Sequence, residues 1–205
     1  MIDLWLFAPA CLALNLTFGP SNLLALTHGA QRGVGFACAA ALGRMASFAP
    51  MIALSALGLG VLLSASAAAF TVAKLLGAGY LIWLGWKLWR APAPEVEMGA
   101  SHARRGLIPA TRREALVAIG NPKAILIFAA FFPQFVDPDA YWSSYAIVGG
   151  VFLLLEMVAV AAYAIAGQLA ARRATRHLGK LHKLSGATMM IFGFALALAR
   201  KPGAA

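Results

Sequence analysis

Long apolar runs separated by short polar or charged connections set the pattern of this chain. Six runs are long enough to cross about 30 Å of hydrocarbon: roughly 4–27, 36–62, 67–89, 115–136, 145–167 and 184–199. The sixth is short, and Leu181 with its flanking lysines extends it by snorkelling. The pattern predicts an all-α fold, a polytopic bundle of about six transmembrane helices forming one domain over residues 1–205. The longest connection, 91–113, carries Pro92, Pro94 and Pro109 with mixed charge and reads as a cytoplasmic linker between two halves. No segment suits a soluble catalytic domain, so the chain is not read as an enzyme.

Two runs are interrupted by proline, in Phe18-Gly19-Pro20-Ser21-Asn22 and in Gly120-Asn121-Pro122-Lys123. Proline removes a backbone donor, and inside a bilayer such a break survives only where the freed backbone is buried in protein or lines a watery cavity. Each proline, preceded by glycine or asparagine, resembles the first residue of a new half-helix. A half-helix start offers N–H groups and a partial positive charge to a carboxylate. The plainer alternative is a proline kink satisfied by neighbouring hydroxyls and water. Asn15, Thr17, Ser21 and Asn22 accompany the first break, Asn121 and Lys123 the second. Three helices per half with a break in the first of each suggest a 3+3 inverted repeat with helices one and four broken. Both prolines fall roughly 10 Å from the cytoplasmic ends of their helices, a depth that suits one shared cavity better than a strict inverted pair.

Composition agrees: 61% of residues are hydrophobic and 12% charged, with mean hydropathy +0.79, where soluble domains are about a quarter charged. The net charge of +10 would suggest nucleic acid in a soluble protein. Here the basic residues lie in the connections, so anionic headgroups of the lipid bilayer are the expected partner and nucleic acid is not. Arg32 follows the first run; Lys87, Arg90, Arg104, Arg105, Arg112 and Arg113 flank or fill the third connection; Arg172, Arg173, Arg176, Lys180 and Lys183 fill the fifth. The second (64–66) and fourth (137–144) have no Lys or Arg. The positive-inside rule therefore places both termini outside. Arg200 and Lys201 are discordant and keep a five-span alternative open. Met1 to Trp5 lacks a basic n-region, so the first helix is expected to be retained. Trp5, Tyr141, Trp142 and Tyr145 are expected to anchor the outer interface, Trp86 and Trp89 the inner one.

Four ionisable residues fall within the runs: Arg44, Lys74, Lys123 and Glu156. A charge at depth is costly enough to mark function. Glu156, about 16 Å into its run, is the natural proton carrier, with a permanent ion pair to Arg44 or Lys74 as the structural alternative. Arg44 is a candidate fork for a substrate carboxylate, and Lys74 either snorkels or touches substrate. Gly35, Ala39, Gly43 and Ser47, and Gly186, Met190, Gly193 and Ala197, form small-residue stripes that read as packing surfaces. Cys11 and Cys38 have no paired spacing and no His/Cys/Asp companions, so neither a metal nor a disulfide framework is expected.

Gly19-Pro20-Ser21-Asn22-Leu23, Gly33, Gly35, Gly43, the run from Lys74 to Gly85, Asn121-Pro122-Lys123-Ala124 and Pro133-Gln134-Phe135 resemble the LysE/RhtB amino-acid exporters. Two positions depart from that pattern: Phe18, where a second proline is usual, and Glu114, where a glycine is. The resemblance implies a cytoplasmic-membrane secondary transporter that exports amino acids or close derivatives by proton antiport, without a cofactor; it allows a homodimer. The substrate site is then expected at Asn15, Thr17, Gly19, Pro20, Asn22, Arg44, Asn121, Pro122 and Lys123, with Glu156 in proton coupling. Two other classes are a transmembrane thiol-disulfide conduit and a non-transporting scaffold. The conduit needs the cysteines to meet, yet they are expected about 24 Å and about 3 Å above the cytoplasmic ends of their helices, whereas a disulfide holds its Cα atoms within about 7 Å.

Overall fold

A computed structural model describes residues 3–65, 67–90, 106–172 and 178–198. The described chain is all-α: α1 (Leu4–Asn15), α2 (Pro20–Arg32), α3 (Val34–Ala65), α4 (Ala67–Arg90), α5 (Leu107–Ile119), α6 (Pro122–Leu126), α7 (Tyr141–Arg172) and α8 (Leu178–Leu198). A π-helical turn (Ile127–Phe131) and a 3-10 turn (Phe132–Gln134) continue α6, and a second 3-10 turn (Pro138–Ala140) leads into α7. Among the described residues α3 and α7 are long and apolar enough to cross a membrane, and two bent pairs raise the number to four. Helices α1 and α2 meet at 67°, and α5 meets the segment Pro122–Gln134 at 49°.

The bends occur where the prolines predict them. Gly19 is extended, and Pro20 takes the first position of α2, where its missing N–H costs nothing. At the second break the Asn121 side chain caps the Lys123 N–H at 3.1 Å.

Both broken helices are longer on the basic side than the hydropathy runs indicate. The first continues to Arg32 and the second begins at Leu107, inside the segment expected to be linker. Residues 107–113 are thus the first turns of α5, because a polar, arginine-bearing surface is compatible with a helix end emerging from lipid. Residues 91–105 of that linker lie outside the described residues, as do Ser66, Arg173, Arg176, Arg200, Lys201 and the side chains of Lys74, Arg172, Lys180 and Leu181. The corrected bounds move the breaks. Thirteen residues of α2 and thirteen of α5 separate them from the basic ends, about 19 Å instead of 10 Å, and twelve residues of α1 precede the first. Each break therefore sits near the middle of its bent pair of helices.

Helix α2 runs along α7, α5 along α3, α3 crosses α7 and α4 runs along α8. Glycines permit these approaches: a Cβ on Gly43 would lie 2.1 Å from the Thr111 carbonyl oxygen, and one on Gly167 2.0 Å from that of Leu26. Gly186 and Gly193 meet Gly85 and Ala78 of α4 in the same way. Both small-residue stripes are thus helix contacts, although Gly35 has nothing nearby.

Trp5, Trp86, Trp89 and Trp142 are exposed, as membrane anchors are. Tyr145 departs from the anchoring expectation: it is buried, with its hydroxyl 3.0 Å from the Ser55 hydroxyl. Tyr141 is also held inward, donating to the Ala56 carbonyl. Cys11 and Cys38 are free thiols in different side-chain clusters.

Candidate functional site

Breaking a helix in its middle exposes the carbonyls of the preceding turn, and inside lipid each needs a donor. At the end of α1 all four are met by side chains. The Leu14 carbonyl accepts from Thr17 Oγ1 at 2.6 Å and from Lys123 Nζ at 3.3 Å. The Asn15 carbonyl accepts from Asn22 Nδ2 at 2.7 Å and Lys123 Nζ at 3.4 Å. Leu16 accepts from the Tyr163 hydroxyl at 2.7 Å. Thr17 accepts from Asn22 Nδ2 at 2.8 Å and Lys123 Nζ at 3.0 Å. Lys123 thus places its ammonium at the negative end of the α1 dipole. The second break supplies this donor to the first, and Asn121 Nδ2 adds a bond of 3.0 Å to Ser21 Oγ.

Beside the joined breaks lies a buried charge cluster. Arg44, on α3, is fully buried. Its Nε and Nη2 donate to Glu114 Oε2 at 3.0 and 2.8 Å. Nη1 donates to Glu156 Oε1 at 2.9 Å and to Asn22 Oδ1 at 3.3 Å, and Nη2 also donates to the Ser21 carbonyl. All five N–H groups of the guanidinium are therefore engaged. Glu156 pairs with Arg44, and Arg44 forks protein carboxylates from α5 and α7 in this conformation. Removing a charge from such a buried set is costly, because its partners remain desolvated.

The structure brings Asn15, Thr17, Gly19, Pro20, Asn22, Arg44, Asn121, Pro122, Lys123 and Glu156 into one connected region. Sequence reasoning did not single out two further members. Glu114 is fully buried, yet it follows Arg112-Arg113 and reads as a charged boundary. Its signal is the spacing of four in Ala110, Glu114 and Ala118, the buried face of α5. His28, on α2, approaches Glu114, with Nε2 3.7 Å from Oε1.

The two sides of this cluster differ. Toward the 135–145 connection the interior is filled by interlocked rings: Phe128 lies 5.5 Å from Phe48, 5.0 Å from Phe152 and 5.3 Å from Phe132, and Phe7 lies 5.9 Å from Phe132. Ser55 Oγ donates at 2.6 Å to the Phe128 carbonyl within the π-helical turn. Toward the Arg32 and Arg113 end, a cleft opens beside His28.

The profile of the family described as LysE type translocator matches residues 12–200. A homoserine/homoserine lactone efflux protein of Salmonella typhimurium is 34% identical over 191 residues, covering 91% of this chain and 92% of the relative. An "Uncharacterized membrane protein" of Vibrio cholerae is 31% identical over 205 residues, covering 97% and 98%. A leucine efflux protein of Enterobacter sp. is 29% identical over 208 residues, covering 97% and 96%. No solved structure matches the chain.

Proposed function

Because this chain belongs to the LysE type translocator family, we propose that it exports an amino acid or a close derivative across the cytoplasmic membrane in exchange for protons. The observation that carries this reading is the meeting of two mid-helix breaks beside a buried set of two cations and two carboxylates, Arg44, Lys123, Glu114 and Glu156. Intramembrane charges of both signs at a repeat interface suit a zwitterion and a proton. Their balance favours substrates whose side chains carry no net charge, and efflux of homoserine and leucine by relatives is consistent with that.

In this reading the substrate carboxylate is taken by Lys123, Asn121, Asn22 and the α2 start at Gly19 and Pro20. Asn15 Oδ1, buried without a hydrogen-bond partner, accepts from the substrate ammonium, and Thr17 shapes the break. Glu156 carries the proton. The bonds that support a link from proton to substrate are these: Arg44 Nη1 is shared by Glu156 and Asn22, and Asn22 holds the α1 carbonyls. Protonating Glu156 weakens its hold on Arg44 and so loosens the first break. The aromatic packing around Phe128 is the closed outer gate. Six spans, both termini outside, residues 91–105 as a cytoplasmic link and a homodimer complete the proposal.

The test is a whole-cell efflux screen over the amino acids, comparing overexpressed wild type with Pro20→Ala. At least one amino acid should leave faster with wild type and not with the variant. Equal efflux from both would sink the site, and no efflux of any amino acid would sink the reading itself.

A further inference from the structure

Glu114 gives Arg44 only one of its oxygens. Oε2 accepts both guanidinium bonds, while Oε1 is buried with no hydrogen-bond partner. Facing it at 3.7 Å is His28 Nε2, likewise buried and without a partner. The gap exceeds a hydrogen bond by roughly 0.7 Å, and an intervening water would need roughly 5 Å. Two orphaned polar atoms face to face in a buried site demand an explanation. A shared proton supplies one, since a carboxyl O–H can donate to the imine nitrogen, or Nε2–H to the carboxylate.

His28 also reaches the outside of the cluster. Its side chain is 10% exposed where that of Glu114 is 0%. It lines a cleft with Thr27, Gln31, Phe36, Pro109 and Arg113, at the basic ends of α2 and α5. Phe36 meets the imidazole edge-on at 5.7 Å and carries the Arg32 guanidinium on its face at 3.9 Å, which orients the ring. The charged groups facing His28 are Arg32 on its own helix, Arg44 on α3, and Arg113 and Glu114 on α5.

We propose that His28 is the proton-transfer residue joining the Glu114–Arg44–Glu156 cluster to the cleft between α2 and α5, a role that rests on the exporter reading. A small rotation of either side chain closes the gap. Once a proton entering by the transport cycle has been taken up on Glu114 Oε1, that Oε1–H bond breaks as the His28 Nε2–H bond forms, leaving a carboxylate held by Arg44 and an imidazolium. The imidazolium passes a ring N–H proton to cleft water as hydronium and returns to its neutral form. Having two ring nitrogens, an imidazole can accept on one side and release on the other.

Purified protein in lipid nanodiscs with ¹⁵N-labelled histidine gives a test that needs no substrate. The signal lost in His28→Gln, or in His28→Asn should that variant not assemble, identifies His28. Its titration midpoint should shift by about half a pH unit or more in Glu114→Gln. In proteoliposomes supplied with homoserine or leucine, His28→Gln should lower the ratio of pH-gradient-driven flux to substrate-for-substrate exchange about tenfold. A His28 titration indifferent to Glu114→Gln overturns the proposal, as does an unchanged ratio. If wild type carries no amino acid the exporter reading fails instead, and the titration still decides whether His28 and Glu114 are coupled.

Discussion

Lys123 Nζ lies 3.0 Å from the Thr17 carbonyl oxygen, although the two residues are 106 positions apart. The bond makes one broken helix the cap of the other, and two more carbonyls, of Leu14 and Asn15, share the same ammonium. Lys123→Met keeps the aliphatic stem and removes the donor. It should destabilise the protein by about 1.5–3 kcal/mol, because the charge-assisted bonds of the ammonium are lost while each carbonyl keeps its Thr17 or Asn22 donor. Thermal unfolding in detergent measures this, and an unchanged midpoint would mean that the α1 carbonyls are held by Thr17, Asn22 and Tyr163 alone.

Arg44 has no spare donor, so its replacement exposes the conflict between the two carboxylates it separates. Arg44→Met should cost about 3–5 kcal/mol by leaving Glu114 and Glu156 uncompensated. Adding Glu114→Gln and Glu156→Gln to Arg44→Met should recover part of that loss, because the desolvated charges are gone. Unfolding midpoints of the single and triple variants decide the point, and a triple variant less stable than Arg44→Met would contradict it. Arg44→Lys should also fail, since an ammonium cannot span acceptors on α2, α5 and α7.

The break at Pro20, the break at Pro122 and the buried Arg44 were legible in the sequence, because proline and intramembrane charge have few innocuous explanations. The helix ends were not. Hydropathy stops where arginines begin, but a helix continues as long as its side chains reach water, so α5 starts at Leu107 and not near Ala115. The helix ends matter chemically: they bring Glu114 inside α5 and set both breaks near mid-helix. His28 gave no sequence signal of its own, since only a helix crossing brings it to Glu114.

The close approach of α3 to α5 rests on Gly43. A Cβ there would stand 2.1 Å from the Thr111 carbonyl oxygen and 2.8 Å from its carbonyl carbon, backbone atoms that cannot rotate aside. Gly43→Ala should therefore cost about 1–3 kcal/mol and disturb Arg44, one residue on. Gly35→Ala on the same helix meets nothing within 4 Å and should be neutral or mildly stabilising, by up to about 1 kcal/mol, because alanine favours helix. Comparing the two unfolding midpoints separates a packing requirement from a general cost of substitution; equal effects would remove the distinction.

Glu156 separates a proton carrier from structural glue. It accepts from Arg44 Nη1 at 2.9 Å and is nearly fully buried. As a carrier it must gain and lose a proton during each cycle, which Gln cannot do. Glu156→Gln, which preserves shape and still offers an acceptor to Arg44, should then abolish the pH-gradient dependence of flux in proteoliposomes while substrate-for-substrate exchange persists within about threefold, since general acid–base groups contribute only to the proton step. As glue it would behave differently. Weakening a buried ion pair would lower the unfolding midpoint and reduce driven flux and exchange by the same factor, because the bond from Arg44 to Asn22 that steadies the first break would loosen in every transport mode. Measuring both fluxes and the midpoint on one preparation distinguishes the two, and a parallel fall in all three would assign Glu156 to structure.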